Sequence, residues 1–436
     1  MLKFYNREKE IALLREIEER ALNWGEMTML IGRRRVGKTT LLRNAFTSNT
    51  VLYFLVTKKT EVLLCDEFVR IANEKLSLSL GDFQSFAKLL KSLMIQSKTR
   101  HFTLIVDEFQ DFAKINPSIF SEIQHVWDWH KDESKINLIF CGSIYSIMKK
   151  IFEHSKEPLF GRLTARIDLK PFTIGVTKQI FSEFNPNYKN EDLLAFYMVT
   201  GGIAKYMEQF LVNGAFTKKK IFASIFHDDS YFIEEGRTVL IDEFGSDYGN
   251  YFSILMLIAS SKTSRSEIES IMNTSIGGFL DRLENEFGLI KKIRPFGAKP
   301  GGRDVKYRIN DNFLSFWFRF VYKYRSSVEI GNLDYVRDIV ERDYETYSGM
   351  ILERYFRTKL IEEKQFSDIG NYWNRKGENE IDIVAVNDMK KRLVFYEIKR
   401  NANKINLSLL EKKSATIAGQ YPDYTVEYAG LSIDDM

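Results

Sequence analysis

The stretch MTMLIGRRRVGKTTLLRNAF at residues 27–46 decides the fold of the first part of the chain. An apolar run at 27–31 precedes GRRRVGKT at 32–39, which matches the pattern G-x-x-x-x-G-K-[S/T], and a helix-forming run follows it. Gly32 and Gly37 let the backbone curl so that successive amide hydrogens point at phosphate oxygens, and the positive end of the helix dipole faces the same anion. The stretch therefore predicts a phosphate-binding loop, in preference to a chance match in an ordinary strand–helix turn.

The residue types in this loop predict how a nucleotide would be held. Lys38 would reach the β- and γ-phosphates, and the Thr39 hydroxyl would ligate Mg²⁺. We expect the rest of the loop to bind the nucleotide as well, namely Gly32, Arg33, Arg34, Arg35, Val36, Gly37 and Thr40. ATP and Mg²⁺ are the predicted cofactors.

A second motif, LIVDEFQD at 104–111, supplies the acids that nucleotide hydrolysis needs. Asp107 would hold the hydrated Mg²⁺, and Glu108 would orient or deprotonate the attacking water. Acids at the carboxyl end of a strand face the crevice where open α/β sheets bind ligands. Alone, such an acid pair would usually mark a turn. Together with the phosphate loop, and with a strand at 51–56 between the two motifs in the sequence, it predicts a P-loop ATPase of the additional-strand type.

The order of apolar runs predicts a multidomain α/β chain. At roughly 150 residues per domain, 436 residues suggest about three domains. Continuous apolar runs in the first 170 residues fit strands buried on both faces of a parallel sheet, at 27–31, 51–56, 102–106, 136–141 and 165–169. We expect a P-loop ATPase core at 1–172, a helical lid at 173–240, a winged-helix domain at 241–325 and a restriction-endonuclease-like α/β domain at 335–436.

The winged-helix prediction rests on two helices followed by a Gly/Pro-rich hairpin. Ser264 or Ser266 would cap the first helix, and Gly288 would end the second. Residues 282–308 carry eight Lys and Arg against three acids, so this is where contacts to a nucleic-acid backbone are most expected. A solvated wing that binds nothing is the alternative.

The last part of the chain contains a second set of polar residues on predicted strands. Alternation places Glu380 and Asp382 on one face of a strand, and Glu397 and Lys399 on one face of the next. Asp382 and Glu397 could share a Mg²⁺ while Lys399 positions the nucleophile, and Glu353 on the preceding helix could complete the metal shell. The alternative is ordinary cross-strand pairing of acids with lysine.

The whole chain resembles prokaryotic ATPases related to the AAA+ and STAND groups, whose C-terminal part resembles PD-(D/E)xK nucleases. The resemblance is carried by FYNREKEI, GRRRVGKTTLL, LIVDEFQD, FCGS, PLFGRLTARIDLKPF, NEIDIVAV and VFYEIKR. It implies that Asn6, Arg7 and Glu8 lie near the nucleotide base, although Asn6 could instead cap a helix. It also implies that Ser143 is a polar sensor of the γ-phosphate, with a plain helix cap as the alternative.

The same resemblance extends to a catalytic arginine and to the terminal domain. Arg162 is the preferred arginine finger and Arg166 the second candidate, with surface ion pairing as the competing explanation. Glu353, Asp382 and the Glu397–Lys399 pair follow the order of the nuclease motif. Ile381 stands where the nominal motif has proline, and some such domains have lost activity. The neighbouring Trp373, Arg375 and Lys376 could contact nucleic acid or cap the fold.

Composition excludes several other classes of protein. Apolar residues make up 44% of the chain and charged residues 28%, which fits packed cores and not a disordered chain. The net charge of +4 is too balanced to indicate nucleic-acid binding by the whole chain. The first ten residues lack the apolar segment of a secretory signal, and no apolar run approaches the length of a membrane helix. We expect Cys65 and Cys141 to be packing residues of a protein in a reducing cytoplasm.

These observations together predict an ATP-hydrolysing switch or motor. Its nucleotide state would move the lid and the winged helix, and would thereby position the nuclease-like domain on a nucleic acid, most simply DNA. The alternative is a STAND-type signalling or assembly ATPase, in which the winged helix meets protein and the terminal domain is catalytically silent. A homo-oligomer is compatible with either function.

Overall fold

The computed structural model describes residues 3–47, 50–245, 248–299, 301–302, 304–374 and 379–436. These residues form two compact units, Lys3–Lys170 and Pro171–Met436. None of the helices described is both long enough and apolar enough to cross a bilayer.

The first unit is a parallel five-stranded sheet with helices on both faces. The strands are β1 (Glu26–Ile31), β2 (Val51–Leu55), β3 (Phe102–Asp107), β4 (Ile136–Gly142) and β5 (Ala165–Asp168). The helices are α1 (Glu8–Arg20), α2 (Lys38–Ala45), α3 (Glu61–Leu76), α4 (Phe86–Ser97), α5 (Phe112–Ile115), α6 (Ile119–His130) and α7 (Tyr145–Glu153). All five predicted strands are confirmed, each end within about one residue of its expected position.

The strand order is β2–β3–β4–β1–β5, so the additional strand expected between the two motif-bearing strands is β4. It lies between β1, which leads into the phosphate loop, and β3, which ends in Asp107. The strand at 51–55 separates the two motifs in the sequence only, and it lies at the sheet edge beyond β3. Chain order could not show this, because a helical crossover can return the chain to a strand that is not its neighbour in sequence.

The sheet has an apolar core on each face. Alternation along β1 sends Met27, Met29 and Ile31 into one cluster and Leu30 into the other. Cys65 packs in the first cluster and Cys141 in the second, so the prediction that both are buried packing residues is confirmed. Burial on both faces explains why β1, β3 and β4 are mainly apolar runs.

The second unit begins with helices. These are α8 (Ile174–Phe184), α9 (Asn190–Thr200), α10 (Ala204–Val212), α11 (Lys218–Ile225) and α12 (Tyr231–Phe244). Helix α9 ends at Gly201, which has φ of 53°. Gly202 has φ of 80°, and a Cβ there would lie 2.4 Å from the Phe172 carbonyl oxygen.

Three helices and a hairpin follow, and the last two helices and the hairpin are in the predicted order. They are α13 (Tyr248–Ala259), α14 (Arg265–Met272), α15 (Gly277–Asp281) with a π-helical turn, β6 (Ile290–Ile293) and β7 (Lys306–Ile309). Ser264 caps α14 in a capping box with Glu267. The hairpin is not a solvated wing, because the Phe296 amide near its tip donates to the Asn371 carbonyl at 2.7 Å and the Phe296 ring packs in an apolar cluster of the terminal sheet.

The terminal region consists of helices and a mixed four-stranded sheet. Its elements are α16 (Asn312–Phe316), α17 (Arg325–Glu329), α18 (Leu333–Glu362), β8 (Asp368–Trp373), β9 (Glu380–Asn387), β10 (Arg392–Ile398), α19 (Leu407–Ala418) and β11 (Thr425–Leu431). The order is β11–β10–β9–β8, with β10 antiparallel to β9 and parallel to β11. The predicted helix that carries Glu353 is α18, which extends from Leu333 to Glu362.

Candidate functional site

The phosphate loop connects β1 to α2 in a conformation that depends on its glycines. Gly37 is the residue that precedes α2 and has φ of 101°. A Cβ on Gly32 would lie only 2.7 Å from the Leu169 carbonyl oxygen, which follows β5. Arg35 also has a left-handed φ of 72°. The backbone geometry therefore requires glycine at positions 32 and 37, in addition to the phosphate binding predicted for this loop.

Lys38 is buried beneath the loop. Its ammonium group donates to the Gly32 carbonyl at 2.7 Å and to the Arg33 carbonyl at 3.3 Å. Val36 packs in the apolar core, so only its backbone can serve a ligand, while Arg33 and Arg34 are half-buried. Arg35 and Thr40 are exposed. The loop therefore holds its lysine in place through its own carbonyl groups.

The two residues predicted to hold Mg²⁺ share one hydrogen-bond partner, Tyr53 of β2. The Tyr53 hydroxyl donates to Asp107 Oδ2, and it also hydrogen-bonds Thr39. Burial raises the pKa of Tyr53 strongly, the bond to Asp107 adds to this, and the bond to Thr39 opposes it. Thr39 and Asp107 therefore face a common point. Sequence reasoning missed Tyr53, because only the tertiary structure places β2 beside β3.

Glu108 is held by two donors. Its Oε2 atom accepts hydrogen bonds from Gln110 Nε2 at 2.6 Å and from Ser143 Oγ at 2.8 Å. Glu108 has φ of 53°, and its amide donates to Asp107 Oδ1 at 2.9 Å. Such left-handed residues recur at functional sites. The structure therefore brings Ser143 to Glu108, and α7 begins after it with Ile144 and not Ser143 as its N-terminal cap residue.

Gln110 was also missed by the sequence reading. It is 1% exposed, and its side chain packs against Gly142, where a Cβ would lie 2.5 Å from Gln110 Oε1. The glycine at the end of β4 thus leaves the space that the glutamine needs to reach Glu108. The signal was present in LIVDEFQD, three residues after Asp107, but its meaning depends on tertiary packing.

Both candidate finger arginines are engaged by carboxylates in the first unit. Arg162 binds Asp128 through Nε at 3.1 Å and Nη2 at 2.9 Å. Arg166 Nε lies 2.8 Å from Glu153 Oε1. Pairing of this kind at a surface contributes little stability, so it does not prevent either guanidinium from changing partner. The finger role stays a prediction.

The N-terminal candidates lie at the start of α1. Arg7, and not Asn6, is the residue that caps this helix, and both have left-handed φ, of 87° and 50°. The Arg7 guanidinium is buried and donates to the Lys170 carbonyl at 2.7 Å and to Glu10 at 3.2 Å. Burial lowers the pKa of Arg7. These bonds tie the segment to the end of the sheet, and its proximity to an adenine base stays a prediction.

The terminal sheet brings Asp382, Glu397 and Lys399 together. The pairing of β9 with β10 reaches Tyr396 opposite Ile383, so Glu397 follows beside Asp382. Lys399 Nζ lies 3.3 Å from Asp382 Oδ2 and 3.6 Å from Glu397 Oε1. Each acid also accepts a backbone amide, from Ile398 at 2.7 Å and from Asn406 at 2.8 Å. The lysine therefore supplies the positive charge between the two carboxylates.

Glu353 on α18 interacts electrostatically with this group. Burial raises the pKa of Glu353 to about 8, with the nearby Asp382 charge as the second cause. Burial also raises the pKa of Asp382. Across the described residues, no three His, Cys, Asp or Glu side chains are grouped closely enough to hold a metal ion. The terminal metal shell stays a prediction, and Arg375 and Lys376 lie outside the described residues.

Comparison with known proteins identifies two matching families. Residues 4–210 match the family described as an "ATPase domain predominantly from Archaea". Residues 317–415 match a family of "Archaea bacterial proteins of unknown function". An uncharacterized protein of Methanocaldococcus jannaschii is 28% identical over 437 residues, covering 97% of this chain and 94% of the relative.

Comparison with solved structures finds two similar chains, one of which shares the fold. The Walker-type ATPase PABY2304 of Pyrococcus abyssi aligns with a TM-score of 0.54 at 19% identity, over 72% of this chain and 96% of that one. The ORC2 protein of Aeropyrum pernix aligns with a TM-score of 0.47 at 13% identity, over 78% and 96%. The ATPase family match, together with the fold shared with the Pyrococcus protein, supports a P-loop ATPase and ATP hydrolysis.

Proposed function

We propose that the first unit binds and hydrolyses ATP with Mg²⁺, and that the nucleotide state drives a conformational change coupled to nucleic-acid binding or cleavage by the terminal domain. The observation that carries the ATPase proposal is the shared partner of Thr39 and Asp107. Because one phenol hydroxyl bonds both side chains, the loop and the end of β3 face the same small space.

In the proposed complex the loop holds the triphosphate. The amide hydrogens at the start of α2 and the Lys38 ammonium group provide the positive field, and Lys38 exchanges two loop carbonyls for phosphate oxygens. Carbonyl acceptors are neutral, so charged phosphate oxygens are better partners for the ammonium group. Asn6 and Arg7 are proposed to lie on the adenine side.

The donor set at this point fits Mg²⁺. Thr39 offers a hydroxyl and Asp107 a carboxylate, and oxygen ligands of this kind are the ones that Mg²⁺ prefers beside phosphates. When bound, the ion would neutralise charge on the phosphate oxygens. Tyr53 must give up its bond to Asp107 for that carboxylate oxygen to serve as a ligand.

Glu108 is proposed to position the attacking water. Both of its side-chain donors, Gln110 and Ser143, bond Oε2, so Oε1 is the oxygen that can accept a proton from water. Fixing one oxygen sets the plane of the carboxylate and the direction of the other. Arg162, or Arg166 as the second candidate, is proposed to stabilise charge on the γ-phosphate after leaving its carboxylate partner.

Two substitutions test this proposal. We expect Lys38→Ala to abolish ATP turnover and weaken nucleotide binding, and Glu108→Gln to keep nucleotide binding while stopping turnover. Phosphate release and binding of a fluorescent ATP analogue would be measured on the full chain, with Lys9→Ala as a control that removes an exposed lysine of the same unit. Wild-type turnover in either test variant would place the site elsewhere.

The coupling to nucleic acid needs its own test. Turnover would be measured with and without linear, plasmid and single-stranded DNA, and cleavage of the same DNAs would be followed with Mg²⁺ or Mn²⁺. Stimulation by DNA, or cleavage that disappears in Asp382→Ala, supports the coupling. Turnover that is indifferent to DNA, with no cleavage, contradicts it.

A second candidate function is favoured by the position of Lys399. Its ammonium group lies between Asp382 and Glu397, so a protein cation offsets one of the two negative charges at the place where a metal would lie. In a STAND-type signalling or assembly ATPase the terminal domain would be catalytically silent. ATP-driven homo-oligomerisation, measured by light scattering, together with turnover that does not respond to DNA, would support this function.

A further inference from the structure

Four cationic side chains meet at the junction of the β6–β7 hairpin and helix α18. Lys291 and Arg308 are directly paired across the hairpin, and Arg354 and Arg357 lie one turn apart on α18. The charges of Arg354 and Arg357 act on Arg308, and those of Arg308 and Arg357 act on Lys291. We call these four residues the cationic cluster.

The hydrogen bonds of this cluster go to neutral acceptors. Arg354 Nη1 donates to Asn312 Oδ1 at 2.6 Å. Arg357 donates to the Asn371 side chain and to the Ile369 carbonyl at 3.3 Å. In the described parts of the chain, no member of the cluster forms an ion pair with a carboxylate. Nothing in direct contact therefore balances the four positive charges.

Two donors of the cluster are left without acceptors. The Nε atoms of Arg308 and Arg354 are buried and have no hydrogen-bond partner among the described residues, and Arg354 is only 7% exposed. An unsatisfied buried donor costs free energy, and more so when it belongs to a charged group. Because the fold keeps both donors in this state, a ligand that accepts hydrogen bonds and carries negative charge would complete the site.

Distant acids do not compensate for the cluster. Burial is the first cause of a lowered pKa for each of its four members, so the attraction of more distant carboxylates is outweighed. For Arg308 the pKa falls to about 9, with repulsion from Arg354 and Arg357 as the next causes. The carboxylates that act from beyond ion-pair distance are Glu284, Asp311, Glu353 and Asp368.

We propose that the cationic cluster is a binding site for a phosphate group, which accepts hydrogen bonds from the guanidinium groups of Arg308, Arg354 and Arg357 and is approached from the side of the exposed Lys291. Arginine forks match the oxygens of phosphate, and a charged acceptor makes hydrogen bonds about twice as strong as neutral ones. The anion site does not depend on ATP hydrolysis. The choice of a nucleic-acid phosphodiester over a free phosphate as its source rests on the proposed coupling to nucleic acid.

The position of the cluster suits a phosphodiester. Arg308 interacts electrostatically with Glu353, and Glu353 interacts with Asp382 and Lys399. A backbone phosphate held by the cluster would thus bring the following part of a strand toward the terminal acids. Phosphate contacts of this kind position a nucleic acid without reading its sequence.

The test uses the full chain carrying Lys38→Ala, so that the phosphate loop contributes as little as possible. Thermal unfolding is measured with inorganic phosphate against chloride at equal ionic strength, and binding of a single-stranded oligonucleotide is measured by fluorescence anisotropy. Arg308→Gln and Arg357→Gln, each added to this background, remove one charge with little change in size. Arg325→Gln, an exposed arginine of the same unit, is the matched control.

We expect phosphate to raise the unfolding temperature of the parent, and each cluster variant to bind phosphate about tenfold more weakly. Without added anion, we also expect Arg308→Gln to be at least as stable as the parent, because the substitution removes repulsion from Arg354 and Arg357. If Arg308 had a purely structural role, the substitution would lower stability instead. If the cluster variants also lose oligonucleotide binding, the natural ligand is a nucleic-acid phosphodiester. If they lose only the binding of inorganic phosphate, the anion site is supported but a nucleic acid as its ligand is overturned. An unchanged phosphate response in both cluster variants overturns the site.

Discussion

Removal of the Tyr53 hydroxyl tests whether the phenol competes with Mg²⁺. In Tyr53→Phe the ring stays on β2, but Asp107 loses a donor and Thr39 loses a partner. Both of these residues are proposed metal ligands. The bond to Asp107 exists in the metal-free protein and must be given up on metal binding, so its removal destabilises the metal-free state alone. We therefore expect the variant to bind Mg²⁺ more tightly than the wild type does.

The size of the effect follows from the bond that is lost. A hydrogen bond to a charged group contributes about 1.5–3 kcal/mol to stability. Tyr53 is half-buried, so water can replace part of this interaction and the low end applies. Since each 1.4 kcal/mol corresponds to about a tenfold change in a binding constant, Mg²⁺ affinity should rise about tenfold. The metal-free variant should unfold about 3–6 °C below the wild type, as expected for a unit of this size.

The assay is a calorimetric titration of Mg²⁺ into the full chain with a non-hydrolysable ATP analogue, joined to thermal unfolding in a chelator. Tyr145→Phe is the matched control, because its hydroxyl lies 3.4 Å from Asp168, which is not a proposed metal ligand. We expect Mg²⁺ affinity to be unchanged in the control. Affinity that is equal to or weaker than wild type in Tyr53→Phe would refute the competition and would make Tyr53 a support for Asp107 instead.

Three further predictions concern other parts of the molecule. Gln110→Leu removes one donor from the Glu108 carboxylate and should lower ATP turnover about tenfold without changing nucleotide affinity. Steady-state phosphate release and binding of an ATP analogue check this. A change in nucleotide affinity alone would contradict it. Gly202→Ala places a Cβ 2.4 Å from a carbonyl oxygen at a left-handed φ and should destabilise the second unit by about 1–3 kcal/mol in urea unfolding, whereas Gly249→Ala, with nothing within 4 Å, should not. Asp382→Ala should eliminate any metal-dependent DNA cleavage by the chain, and cleavage surviving in that variant would remove the terminal site.

The elements predicted most accurately from sequence were those decided by local pattern. Three strands of the first unit, β1, β3 and β4, are buried on both faces, and each is a mainly apolar run with sharp ends. Strand order is a different matter, because it depends on where each crossover returns the chain. The insertion of β4 between β1 and β3 was therefore invisible in the sequence, and so was the position of the strand at 51–55 at the sheet edge beyond β3.

The candidate site divides in the same way. The phosphate loop and the Asp107–Glu108 pair are contiguous motifs, so neighbouring residues alone predict what each of them would bind. Tyr53 and Gln110 join the site only through tertiary structure, since Tyr53 comes from a neighbouring strand and Gln110 reaches Glu108 through space left by Gly142. Neither has a motif of its own. Sequence reasoning could name the groups that would bind ligand and metal, but not the groups that hold them.

The basic hairpin shows why local charge alone is a poor guide to a binding surface. Its excess of Lys and Arg predicted contacts to a nucleic-acid backbone, with a solvated wing that binds nothing as the alternative. In the structure these residues face different surroundings. Lys306 Nζ lies 4.5 Å from the centre of the Trp373 ring and 3.4 Å from Glu380 Oε1. Its charge therefore interacts with groups of the same chain. Lys291 and Arg308 instead join arginines of α18 at the base of the hairpin. A phosphate would therefore be bound at that base, because there the charges lack carboxylate partners. Near the tip, Phe296 contacts the terminal sheet.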